Sequence, residues 1–173
     1  MKRILLILSL LLPALSLTAQ DAILERVRQA NTFDTMTASF RQVRHSSLLT
    51  QDLVSEGVVA MQTPGKIRWE IRRPSAKVSI LDGEGAVAGR RFRLPSEKDF
   101  TIQSMEGDTY VLTLEPVRRD LRQLFRRIIV QADKDTGLVQ TVMLMSPDGD
   151  WTRIEFSDIR SGMPLDAKLF MQE

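Results

Sequence analysis

The sequence predicts a mainly β protein, an antiparallel meander of strands behind one amphipathic helix. Three observations predict it. Hydrophobic and charged side chains alternate strictly from Lys66 to Arg72 in "KIRWEIRR", which is the two-residue period of a half-buried strand. Turn-forming clusters recur about every ten residues, the spacing of consecutive hairpins. No helical period separates one strand from the next, as a βαβ architecture would require.

The elements follow in order. "MKRILLILSLLLPALSLTAQ" has Lys2 and Arg3 before an apolar run from Ile4 to Leu12, and closes on small and polar residues near Ala19. That is the layout of a cleaved secretory signal peptide over residues 1–20, and the run is too short for a spanning helix. The remaining residues, 21–173, are expected to form a single exported domain. Over residues 21–31, Ile23, Leu24, Val27 and Ala30 fall on one stripe of an amphipathic helix. Strands are expected over residues 37–44 around Phe40, and over Leu53–Gln62, where Gly57 marks a bulge. Lys66–Arg73 follows, then 76–83 ending in the Asp82-Gly83 turn, and a weaker strand over 86–94. Residues 99–105 and 109–116 read as a hairpin. Residues 116–127 read as a short helical turn leading into a strand. Strands over 138–145 and 151–158 flank the "SPDGD" turn, and "AKLFMQ" (167–172) reads as the last strand.

Composition excludes several classes of function. There is no cysteine, so there is no disulfide, no thiol nucleophile and no N-terminal lipidation site. The chain has 24 Lys and Arg against 22 Asp and Glu. Removing the leader takes away Lys2 and Arg3 and leaves a neutral domain, a poor match to nucleic acid. His45 is the only histidine; it lies in a polar stretch and reads as exposed, and alone it makes no zinc site. Asp133 and Asp135 in "DKDTG" resemble the start of a calcium loop, but Gly137 and Leu144 stand where further ligands belong. No catalytic residue, metal ligand or cofactor site is expected, and the turn aspartates read as hairpin chemistry.

Two constellations remain. The first is apolar: Phe40, Ile67, Trp69, Ile71, Val78, Ile80, Leu112, Leu114, Met143 and Met145 lie on strand faces that could line an interior. Periodicity does not decide between a filled core and a hollow, but aromatics are only 6% of the chain, and methionine is a pliable lining for apolar guests. The second is the arginine group Arg118, Arg119, Arg122, Arg126 and Arg127. It is either a solvated, ion-paired surface or a docking patch for an acidic partner or lipid phosphates. A smaller group comprises Arg90, Arg91 and Arg93.

The order of Phe40 and Gln42, Gly57, Pro64 with Trp69, Pro74 and Asp82-Gly83 resembles the periplasmic lipoprotein carrier family, LolA, and its LolA-like relatives. The later hairpins and the closing "PLDAKLF" fit as well. The resemblance implies a curved antiparallel half-barrel with the helix against its concave apolar face. It implies a periplasmic monomer that binds the acyl chains of lipoproteins, takes them from an inner-membrane ABC transporter and passes them to an outer-membrane acceptor. Carriers of the family commonly have Arg, tied to lid movement, where this chain has Thr63. An alternative is a LolA-fold module that senses lipids or lipoproteins and signals to a membrane protein. A further alternative is an exported hydrolase with an unrecognised site.

Overall fold

The computed structural model describes residues 19–63, 65–81 and 96–171. Among these residues nine antiparallel strands form one open sheet: β1 (Thr35–His45), β2 (Leu53–Gln62), β3 (Lys66–Arg73), β4 (Lys77–Leu81), β5 (Phe100–Glu106), β6 (Tyr110–Pro116), β7 (Arg127–Ala132), β8 (Val139–Met145) and β9 (Trp151–Ser161). Their order across the sheet is β4-β3-β2-β1-β9-β8-β7-β6-β5. Each half is thus a run of consecutive hairpins, and the halves join where β1 pairs with β9. The expected strand over 86–94, the Asp82-Gly83 turn, Pro64 and the Arg90, Arg91 and Arg93 group lie outside the described residues.

Helix α1 (Ala19–Ala30) begins two residues before the stripe read from the sequence. It buries Ile23, Leu24 and Val27 against Phe100, Leu112, Leu114, Ile128 and Val130. The Ser104 hydroxyl donates to the Gln20 carbonyl at 2.6 Å and ties the first turn to β5. The other end is held more firmly. Asn31 Nδ2 donates to the carbonyls of Val27 and Gly137, at 2.7 and 2.8 Å, while Asn31 Oδ1 accepts from the Val139 N–H at 3.0 Å. Gly137 adopts φ 76°, and a Cβ there would lie 2.9 Å from Ala30 Cβ. Only glycine allows both the turn and this approach of the helix.

Asp133 organises that same turn by accepting the backbone N–H groups of Asp135 and Thr136 and the Thr136 hydroxyl. These donors, the Thr136 backbone first, hold its carboxyl below the ordinary carboxylate range. The pattern is an Asx turn, and among the described residues no cluster of acidic or histidine side chains could hold a metal.

The segment 116–127 folds as read, with the short helix α2 (Arg119–Leu124) followed by β7. The C-terminal segment does not. Residues Ala167–Phe170 form a 3-10 helix rather than a strand, capped by Asp166, whose side chain accepts from Lys168 N–H. The local cap after Pro164 supplies the backbone partners a strand ladder would have offered. Arg68 then fixes this turn by donating to the Leu169 carbonyl at 3.1 Å.

Candidate lipid-binding face

Strand register assigns every side chain to one of two faces. Phe40 lies opposite Gly57 and Phe156; Val59 lies opposite Ala38 and Trp69; Ile67 lies opposite Met61. Directly paired residues share a face. Followed across the sheet, this places Met36, Ala38, Phe40, Val59, Ile67, Trp69, Ile71, Ile154 and Phe156 together, continuous with Val142, Leu144, Val130 and Leu112. This is the face that carries α1.

The apolar face has two regions. Under α1, Leu112 and Leu114 are each 1% exposed and touch the helix-packed core. They are occupied by the protein's own side chains. Across β1, β2, β3 and β9, Met36, Ala38, Phe40 and Val59 are buried, with Phe33, Ile67, Trp69 and Ile71 half-buried around them. Here Phe40 and Trp69 stack with ring centroids 4.0 Å apart and planes inclined by 28°. They belong to β1 and β3 and meet across β2, where Gly57 puts no side chain in the path of the rings. A Cβ at Gly57 would also come within 1.9 Å of the Glu70 carbonyl oxygen. Thr63 closes the nearby β2–β3 turn onto the start of β1: its N–H donates to the Asp34 carbonyl at 2.8 Å and its hydroxyl to the Phe33 carbonyl.

Four residues of the apolar constellation lie elsewhere. Val78 pairs with Glu70 and Ile80 with Arg68, so both share the charged face of β3. Met143 pairs with Ile129 and Arg153, and Met145 with Arg127 and Trp151. They too are opposite Trp69. Parity explains the correction. Lys77, Ser79 and Leu81 take the Trp69 side of β4, and in β8 it is Val142 and Leu144 that pack towards α1. Phe40, Ile67, Trp69 and Ile71 are brought together; Leu112 and Leu114 share their face but sit beneath the helix.

Across β1, β3 and β9 the reverse face is charged. Glu70 accepts from Arg72 at 2.9 Å and from Arg68 at 3.1 Å. The Arg72 hydrogen bond pulls its carboxyl below the ordinary range; partial burial works the other way, and the Arg68 hydrogen bond adds to the lowering. Arg41 and Arg153 both pair with Glu155. Two open grooves of about 480 and 530 Å³ run over this face beside Arg41, Arg68, Glu70 and Arg72. Trp69 lines neither groove.

His45 ends β1 rather than floating in a loop. Its Nδ1 is 2.8 Å from Asp52 Oδ1, and its ring stacks on Trp151 at 5.4 Å.

Residues 31–93 and 89–173 match the family described as outer membrane lipoprotein carrier protein LolA. The chain belongs to the LolA family. Its sheet, open and antiparallel with one N-terminal helix, is the LolA-like fold expected from the resemblance. An outer-membrane lipoprotein carrier protein of Methylococcus capsulatus (strain Bath) is 26% identical over 161 residues, spanning 79% of this chain and 76% of the relative. Among solved structures, a LolA-superfamily protein from Nitrosomonas europaea aligns with a TM-score of 0.48 at 11% identity, over 90% of this chain and 98% of that one. The crystal structure of MucB aligns with a TM-score of 0.50 at 14% identity, over 89% of this chain and 62% of MucB. The likeness to MucB is one of fold. No described helix of this LolA-family chain is long and apolar enough to cross a membrane.

Proposed function

We propose that this protein is an exported, periplasmic carrier that shelters the acyl chains of lipoproteins, or of similar amphiphiles, against the Phe40–Trp69 region of its sheet. The observation that carries the reading is the half-buried group Ile67, Trp69 and Ile71 around the buried Phe40, on a face whose reverse is charged. A site of this kind binds by removing methylenes from water, with no bond made or broken. Each shielded methylene contributes ~0.8 kcal/mol. About ten of them give ~8 kcal/mol, comparable to micromolar binding before ordering costs are subtracted.

Residues 1–20 act as the export leader in this reading, and 21–173 as one binding domain. Cleavage after Ala19 or Gln20 leaves the new terminus within the first turn of α1. Loading comes from an inner-membrane ABC transporter and unloading goes to the outer membrane. Residues on the α1 side, Leu112 and Leu114, become available to a guest only when the helix moves.

The test is native mass spectrometry of protein drawn from the periplasm without detergent. Bound lipid or lipoprotein is the expected result. Protein that is consistently empty, and that fails to take up a fluorescent fatty acid in solution, overturns the reading. Capture of a signalling membrane protein without lipid would favour the sensor alternative.

A further inference from the structure

We propose that one rim of the sheet is a membrane-contacting edge, in which Leu48 and Leu49 enter the bilayer surface and Arg119 and Arg126 meet lipid phosphates. The proposal rests on the carrier reading for its purpose, since a carrier must approach the membranes it serves, but it concerns a different surface from the Phe40–Trp69 region.

The topology brings the parts together. Because neighbouring strands are antiparallel, the end of β1, the start of β2, the β8–β9 turn and the start of β7 lie on one rim: His45 pairs with Trp151, Trp151 with Met145, and Met145 with Arg127. Helix α2 precedes β7 and lies on the same rim. From β1 to β7 is three strand spacings, about 14 Å.

The β1–β2 connection ends in two exposed leucines. Leu48 is 91% exposed, more than any other large hydrophobic residue described, and Leu49 is 45% exposed. They are held in place rather than left loose. The Leu49 N–H donates to the Ser46 carbonyl at 3.0 Å, and the Ser47 N–H donates to Asp150 Oδ1 at 2.8 Å. The His45–Asp52 contact and the His45–Trp151 stack close the base of the loop. A built turn that presents two leucines to solvent implies something apolar that receives them.

The α2 segment adds the charge. Three of its five arginines are engaged within the protein. Arg118 pairs with Asp120 and Asp99, Arg122 donates to the carbonyls of Pro116 and Val117, and Arg127 donates to Glu115. Arg119 and Arg126 are exposed, and among the described residues no side chain or carbonyl engages their guanidinium groups. Leu124 and Val117 are exposed beside them, at 60% and 45%. Convex apolar tips next to uncompensated guanidinium groups match the chemistry of an anionic bilayer surface, apolar below and phosphate above. The contact is small, so it is reversible, as one-signal membrane attachments are.

The experiment uses the mature protein and two kinds of vesicle: phosphatidylethanolamine with phosphatidylglycerol, and phosphatidylcholine alone. The chain has no cysteine, so Leu48→Cys carries an environment-sensitive dye at a single site. A blue shift with the anionic vesicles, reduced by salt and weaker on phosphatidylcholine, is expected. Leu48→Asp/Leu49→Asp should lower co-flotation at least about tenfold, the scale of one leucine's burial. Arg119→Ala/Arg126→Ala should lower it on anionic vesicles alone, while Leu81→Asp, at the other rim, leaves it unchanged. Circular dichroism confirms that each variant folds, and fatty-acid uptake in solution by the Leu48/Leu49 variant should equal wild type, which separates this proposal from the carrier reading. Unchanged flotation of that variant overturns the proposal. So does a wild type that ignores both vesicles while a photo-crosslinker at Leu48 captures a protein.

Discussion

Phe40 and Trp69 stack at 4.0 Å although β2 lies between their strands. Phe40 is 3% exposed and Trp69 half-buried, so the inner ring is structural and, in the proposed carrier reading, the outer ring is the one a guest meets. Trp69→Glu should therefore abolish fatty-acid binding while export and the sheet survive. Phe40→Ala should instead destabilise the fold by about 3–5 kcal/mol. The chain has two tryptophans, so Trp151→Phe leaves Trp69 as sole reporter. Its emission should shift to the blue on addition of an acyl ligand; no change would place the guest elsewhere.

Gly57 is where those rings pass. Its missing Cβ would lie 1.9 Å from one backbone atom of β3 and 3.0 Å from another, and backbone does not yield as a side-chain tip does. Gly57→Ala should lower stability by about 1–3 kcal/mol, as overpacking does, measured by urea unfolding. Loss of the Phe40–Trp69 contact should appear as a changed near-ultraviolet dichroism.

Asn31 donates one hydrogen bond back to Val27 of α1 and makes two more, with Gly137 and Val139, that fasten the end of the helix to the β7–β8 connection. Asn31→Ala should cost about 1–3 kcal/mol, since it strands partly buried partners. Hydrogen exchange should quicken first in α1. If the helix must move for Leu112 and Leu114 to meet a guest, the same variant should bind acyl chains faster.

Glu70 links stability to pH. Its carboxyl titrates below the ordinary glutamate range because Arg72 and Arg68 donate to it. Its contribution is therefore fully present above the ordinary range and is lost as pH falls through the depressed value. Glu70→Gln should lower stability at neutral pH by less than about 1 kcal/mol, the scale of a partly exposed pair. Unfolding curves of the two proteins should converge on acidification below the ordinary glutamate range. Curves that diverge there would reverse the assignment.

The β8 register separates residues that the sequence alone left equivalent. Val142→Glu buries a charge beside the α1 core and should cost more than about 2 kcal/mol. Met143→Glu faces Arg153 and should cost less than about 1 kcal/mol. The reverse order, with Met143→Glu the costlier, would mean that the strand is shifted by one residue.

Much of this fold was legible because its strands advertise themselves. Residues 66–72 alternate without a break, and one reading of their faces is possible; Gly57 and the α1 stripe are equally local signals. Faces were harder where alternation fails. Val142, Met143, Leu144 and Met145 are all apolar, so composition offered no parity, and pairing with β7 and β9 decided it. In β4 the apolar positions Val78 and Ile80 suggested an inward face, but the β3–β4 connection sets the register and turns them outward. Residues 167–170 read as a strand because strand propensity carries no information about whether a neighbour is present, and the cap at Asp166 won. The rim formed by Leu48 and Arg126 depends on which strand ends coincide, which is topology rather than sequence pattern.

The outer strands β4 and β5 each pair on one side alone among the described strands. Among the described residues no ladder hydrogen bond joins them, so small changes of twist at each described strand pair would alter their separation. A closed barrel would have to break bonds to admit a thicker guest. In the carrier reading proposed above, such a scaffold would adjust its girth elastically to cargo of uneven bulk.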